Sequence, residues 1–284
     1  MTATSLNARV IRDREWVERE YNREKYPIVL EAAKEAMSDG GKSLGRAVGQ
    51  VILKERGAIR TCDQRDFVVD GRGMVLTTAF GSAGISGFIT NSIIAACCGT
   101  TDAVIELGAG WGRNLFNAYL AGAGGEEMTY YSLEFAETAR QTTDLLSGLE
   151  TNLRMRSVAF DYHAPAYEAI TPSDAPTVVI SVHSVEQIPF LKEDVFLKLL
   201  ERRPNLTGLH VEPIGWQLPE EEWGAAEPKS TEAYAEQHDY NRNLWATLEG
   251  LEQRDVLAIT EVSPDIMGLN VRNPSSFIRW QSHG

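Results

Sequence analysis

An apolar run leads into three glycines at alternate positions, Val104-Ile105-Glu106-Leu107-Gly108-Ala109-Gly110-Trp111-Gly112, and a helical pattern follows at 114–121. Few folds accept that order. Glycine there permits a sharp strand-to-helix turn and lets the backbone come close to a ligand. The segment therefore calls for a strand whose carboxyl end opens onto a binding crevice. Further apolar runs at 129–133, 157–160, 177–182 and 206–211 alternate with helical stretches at 135–149 and 192–202. That alternation indicates a parallel sheet covered on both faces. A long helix over 231–253 then precedes two closing strands, 256–262 and 277–280, separated by a loop holding Pro264 and Pro274.

The first hundred residues follow another pattern. A charged, aromatic-studded helix spans 13–25, Pro27 breaks it, and a helix over 28–37 is ended by Gly40 and Gly41. Ser43 can cap the next helix, 44–55. Two β-rich runs, 67–69 and 74–78, flank Asp70-Gly71-Arg72-Gly73, a hairpin signal. Gly81-Ser82-Ala83-Gly84 reads as a loop before an apolar helix over 85–98, where Cys97 and Cys98 are expected as buried structural thiols. With no repeat or linker, the reading is a helical and hairpin cap over 1–100, integrated with a core domain over 101–284.

Composition narrows the function. Lys and Arg number 27 against 40 Asp and Glu, a formal net charge of −13. Such a balance disfavours duplex nucleic acid, which needs clustered cations. Three cysteines cannot build a disulfide framework and suit a reducing cytoplasm. No signal peptide and no run of about 18 apolar residues for a membrane span are read in the chain. The excess acid is expected mainly as solvated surface, as at Glu220–Glu222.

Around the glycines, the spacing G-x-G-x-G and the acid two positions earlier depart from a dinucleotide site, which spaces them G-x-G-x-x-G. Glu106 would oppose a diphosphate and suits an ammonium or sulfonium group. These residues resemble the first motif of class I S-adenosylmethionine-dependent methyltransferases, matched in full by Glu106, Gly108, Gly110 and Gly112. The resemblance runs from about 101 to 280. It implies that Glu134, ending the second strand, holds the cofactor ribose, and that Asp161 with adjacent Tyr162 lies beside the adenine. The implied fold is Rossmann-like: seven strands, mostly parallel, helices on both faces, a terminal antiparallel hairpin and a variable helical N-terminal cap. The implied reaction is methyl transfer to oxygen or nitrogen of a small molecule. Aminocarboxypropyl transfer, cyclisation of the cofactor and a non-catalytic regulatory subunit are the alternatives. A homodimer is left open.

For the chemistry, polar residues at strand ends carry most weight. His183, after the fourth strand of the alternating region, is either a base or a residue that shapes the pocket. Glu186 either fixes its tautomer or begins a helix. Glu212 is expected at the mouth, as a base or a site for an amine. His210 lies within its strand, as a core histidine or a substrate contact. Two histidines and two carboxylates are acceptable metal ligands, but no tight pair anchors His183, Glu186, His210 and Glu212, and no metal is expected. On the long helix, Tyr234, His238 and Asn241 share a face with Trp245 and Leu248 and are candidates to line the substrate pocket. Trp16, Tyr21 and Tyr26 are either packing residues or a lid that gives aromatic walls to the substrate. Phe80-Gly81-Ser82 either touches the methionine end of the cofactor or is a turn.

Overall fold

The computed structural model describes residues 11–38, 43–55, 63–125, 127–219 and 228–283. Gly40, Gly41 and Glu220–Glu222 lie outside them. Among the described residues nine strands form one sheet: β1 Gln64–Val69, β2 Arg72–Thr77, β3 Ala103–Leu107, β4 Thr129–Glu134, β5 Arg154–Ala159, β6 Thr177–Val182, β7 Leu206–Glu212, β8 Leu257–Gly268 and β9 Ser275–Ser282. Their order is β2-β1-β8-β9-β7-β6-β3-β4-β5. From β5 to β7 the neighbours are parallel, and the pairs β7–β9, β9–β8, β8–β1 and β1–β2 are antiparallel. The seven-strand expectation thus falls short by a hairpin. β1 and β2 continue the sheet past β8, joined to it by Val68 opposite Gly268, Val69 opposite Met267 and the Asp70 amide donating to the Ile266 carbonyl (2.6 Å). Asp70 and Gly71 make the two-residue turn, both at positive φ (51° and 68°), as a tight hairpin requires.

The central strands are buried on both faces, so they read as continuous apolar runs. Alternate residues divide into two cores. Val104, Tyr130, Val178 and Leu209 pack with α1 Tyr26–Ser38, α2 Leu44–Glu55, α3 Thr78–Ala96, α4 Arg113–Leu120 and α5 Glu137–Ser147. Ile105, Tyr131, Val179 and Trp280 pack with α6 Asp194–Leu200 and with α8 Leu244–Gln253. Gly208 lets β7 lie against Trp280, because a Cβ there would sit inside the indole. Gly208→Ala is expected to destabilise the protein by about 1–3 kcal/mol through overpacking; an unchanged denaturant midpoint would refute this.

Four readings change. First, Gly81-Ser82-Ala83-Gly84 is helical, because Thr77 accepts the Phe80 amide (3.4 Å) and starts α3 well before residue 85. Gly81 packs directly against the Phe67 ring, where a Cβ would clash, instead of loosening a loop. Nineteen residues long, α3 is also long and apolar enough, by length and composition, to cross a membrane. Second, α3 ends at Ala96, so Cys97 is half-buried and Cys98 is exposed. Hydrogen bonds from Thr100 and Thr101 draw the Cys98 thiol down to about 7. Third, the long helix is two, α7 Pro228–Gln237 and α8. Asp239 turns left-handed (φ 53°) between them, and Asn241 Oδ1 accepts the amides of Asn243 and Leu244 (3.0 and 2.7 Å). Fourth, β8 runs through Pro264, at a register shift where the missing amide breaks no ladder bond.

Candidate active site

The strand order reverses at β3, between β4 and β6, and a doubly wound sheet opens its crevice at that switch point. A cavity of about 650 Å³ lies there, over the glycine turn. Gly108 and Gly110 both adopt positive φ (65° and 57°). A Cβ would come within 2.5 Å of Ser184 Cβ at the first and 2.7 Å of the Tyr26 hydroxyl at the second. Only glycine satisfies both demands. Gly112 (φ 76°) is the left-handed residue from which α4 starts.

Three acids stand at the ends of adjacent strands and line the cavity: Glu106 of β3, Glu134 of β4 and Asp161 just beyond β5. Glu106 is 1% exposed. Its Oε1 accepts from Asn114 Nδ2 at 2.6 Å, and its Oε2 is buried with no hydrogen-bond partner among the described residues. Burial outweighs the Asn114 bond and, with the Glu134 charge, pushes Glu106 up to about 8. Glu134 braces the turn, accepting the amides of Gly110 (2.7 Å) and Ala136 (2.8 Å). Burial raises its pKa also, opposed by those two amides and by Arg140. Asp161 accepts the His163 amide at 2.8 Å and faces Arg14 at 3.5 Å. Tyr162 is buried with its hydroxyl 2.9 Å from Ser184 Oγ, which in turn donates to the Leu107 carbonyl.

His183 follows β6 directly and lines the cavity at φ 51°, a strained value for a residue with a side chain. Both ring nitrogens are engaged: Nδ1 lies 3.0 Å from Glu186 Oε2, and Nε2 lies 2.7 Å from Ser275 Oγ. The carboxylate places the proton on Nδ1 and leaves Nε2 as the basic nitrogen. Burial opposes the imidazolium, but the charge and hydrogen bond of Glu186 prevail and raise the His183 pKa.

Glu212 is not at the mouth. Its carboxylate points inward and accepts the amides of Ser184, Val185 and Glu186, each at 3.2 Å. It holds the turn that carries His183 and Glu186, and burial pushes it up to about 7. His210 also lies away from the cavity, fully buried: Nε2 accepts from Trp280 Nε1 and Nδ1 faces Ser181 Oγ, both at 2.8 Å. Burial holds it down to about 3, so it stays neutral. These four groups do not converge on one point.

Tyr234, His238 and Asn241 are likewise outside the cavity lining. Asn241 is spent on the α7–α8 break, and His238 stacks on Tyr234 with ring centres 4.0 Å apart. The His238 carbonyl accepts from Arg12 Nε (2.7 Å), and Arg12 also donates to Gln187 Oε1 and to Asp239. The Arg12 guanidinium lies between the rings of Trp16 (4.3 Å) and Tyr240 (4.9 Å). This strap holds the π-helical stretch Glu18–Lys25 at the cavity, where Tyr21, Lys25 and Tyr26 form part of the wall. Ser82 lines the cavity from α3, whereas Phe80 is exposed.

Sequence reasoning missed Asn114, Gln187, Ser275, Arg12 and Arg65. Asn114 had a readable signal, a polar residue in the first turn after the glycines. Ser275 had none, because its pairing with His183 spans 92 positions.

Fold and site together define a doubly wound α/β protein with a glycine-turn ligand crevice. Solved structures similar to it include many S-adenosylmethionine-dependent methyltransferases. One is geranyl diphosphate C-methyltransferase from Streptomyces coelicolor, with 9% identity over 73% of this chain and 81% of that one (TM-score 0.48). The mitomycin 7-O-methyltransferase shares 12% over 94% and 71% (TM-score 0.46). A Pyrococcus horikoshii protein assigned as an RNA methyltransferase shares 13% over 70% and 84% (TM-score 0.42). No family model matches the chain, and no curated protein does.

Proposed function

We propose that the chain is an S-adenosylmethionine-dependent methyltransferase acting on an oxygen or nitrogen of a small molecule. One observation carries the reading: Glu106 is buried at the glycine turn with an oxygen that finds no donor among the described residues. A buried carboxylate left this way is costly unless a ligand supplies the donor, and a cationic ammonium does so best. Glu134 and Asp161 retain acceptor lone pairs toward the same cavity, suited to a ribose diol and an adenine amino group. The site therefore fits the cofactor, with Glu106, Gly108, Gly110, Glu134, Asp161 and Tyr162 as its holders.

When bound, that cofactor supplies an electrophilic methyl on sulfur. The chain's own residues align the acceptor and take its proton. His183 Nε2 takes the proton by exchanging its hydrogen bond with the Ser275 hydroxyl for one with the acceptor, while Glu186 fixes the ring through Nδ1 and Glu212 fixes the turn beneath both. The strap through Arg12 and the aromatic stretch around Tyr21 act as the lid that excludes water. Isothermal titration tests the reading: S-adenosylhomocysteine is expected to bind with a micromolar dissociation constant, and NADH not at all. NADH binding without S-adenosylhomocysteine binding would overturn it.

A further inference from the structure

We propose that the wall opposite the glycine turn binds the anionic group of a compact apolar acid, a carboxylate or a phosphate monoester, with Arg65 as its counter-ion. The inference rests on the cofactor reading, which assigns the acids at the strand ends to the other half of the cavity. Four cations line the cavity among the described residues, and three are already engaged. Arg14 faces Asp161 at 3.5 Å, and Arg113 faces Glu55 at 3.8 Å. Lys25 stands over the rings of Tyr21 and Tyr26, at 5.0 and 5.6 Å. Arg65 has no carboxylate within ion-pair distance among the described residues.

Its placement follows from β1. A strand alternates its side chains, so Arg65 shares a face with Phe67. Phe67 is packed against Gly81 of α3, which fixes that face toward the cavity. Arg65 is solvent-exposed on β1, and the cavity it lines is bounded by apolar Phe67, Ile85, Ile89 and Leu269 together with polar Thr78, Ser82, Asn270 and Asn273. A guanidinium presents a planar fork that matches carboxylate and phosphate oxygens in pairs. The cavity is thus polarised: apart from Glu55, paired with Arg113, its acids stand over β3 to β5, and Arg65, with no carboxylate partner among the described residues, stands on β1. A cationic cofactor and an anionic acceptor can occupy it together without like charges meeting.

The test titrates the S-adenosylhomocysteine-loaded protein with benzoate, phenyl phosphate and neutral benzamide. One of the anions is expected to bind about tenfold tighter than benzamide, a charge-assisted contact at a partly solvated site. The preference is expected to shrink as ionic strength rises. Arg65→Gln should abolish it and Arg65→Lys retain part of it, while S-adenosylhomocysteine affinity stays unchanged in both. Which anion wins separates carboxylate from phosphate recognition. Anions no tighter than benzamide, a preference that survives Arg65→Gln, or no binding of either anion would each overturn the proposal. The same titrations on the free protein keep the two readings apart. Failure of the wild type to bind S-adenosylhomocysteine would refute the cofactor reading, and the Arg65-dependent preference would still be measured.

Discussion

Glu106→Gln is expected to weaken S-adenosylhomocysteine binding about 100-fold at pH 8 and, at the same pH, to raise the thermal midpoint of the ligand-free protein. Both effects come from one buried carboxylate. A glutamine can still accept from Asn114, but it offers an amide to the cavity where an ammonium needs an anion. Losing a buried charge-assisted hydrogen bond costs about 1.5–3 kcal/mol, which is the loss in affinity. Stability moves the other way. The folded pKa of Glu106 is raised, to about 8, so its stabilising contribution is complete below the unfolded value and is lost as pH rises through the folded one. The wild type therefore loses stability relative to the glutamine variant between about pH 4.5 and pH 8. In that window, binding a cation to the ionised form must release a proton, and wild-type affinity should climb with pH and level off near 8. Titrations from pH 6 to 9 in buffers of different ionisation enthalpy would show this. A pH-independent affinity, or a glutamine variant less stable than wild type at pH 8, would refute the assignment.

His183→Asn should cut turnover by about 10²–10⁴-fold, the usual worth of a general base, while S-adenosylhomocysteine binds as before. Asparagine is the informative replacement because it tolerates left-handed backbone better than most residues, so the φ of 51° is kept and only the imidazole is lost. The pH profile adds a second readout. A base works deprotonated, and Glu186 lifts the pKa of His183 above its ordinary 6.5. The acid limb of kcat/KM should therefore lie above that value, and Glu186→Gln should move it to lower pH. Turnover unaffected by His183→Asn would reduce the histidine to pocket shape.

The strand-turn-helix at Gly108 was legible because its signal is local: apolar run, acid and glycines fall within nine consecutive residues, and the helix follows at once. Glu134 and Asp161 were legible for a similar reason, since each ends or directly follows a strand. Glu212 shows where this stops. Alternation along β7 tells which face a residue takes, and nothing in it shows that the backbone amides of residues 184–186 lie within reach. The break between α7 and α8 was hidden likewise. Tyr234, His238 and Asn241 keep perfect helical spacing, but the Asn241 side chain competes for backbone amides and Asp239 reverses the chain. The hairpin itself was readable from Asp70-Gly71, but its addition to the sheet edge was not, because a short stretch, residues 68–70, carries the pairing.

That thin attachment has an evolutionary consequence. β1, β2 and α3 are consecutive in the chain and are tied to one another by Asp63, whose carbonyl accepts from the Thr78 amide and hydroxyl. They supply no glycine or acid of the turn. Only the hairpin is peripheral, because α3 is anchored in the core through Ile89 and Ile93. Selection can thus rework what the protein accepts by altering the cavity-facing residues of one contiguous segment, residues 63–96, while the glycine turn and its acids over 103–161 are inherited intact.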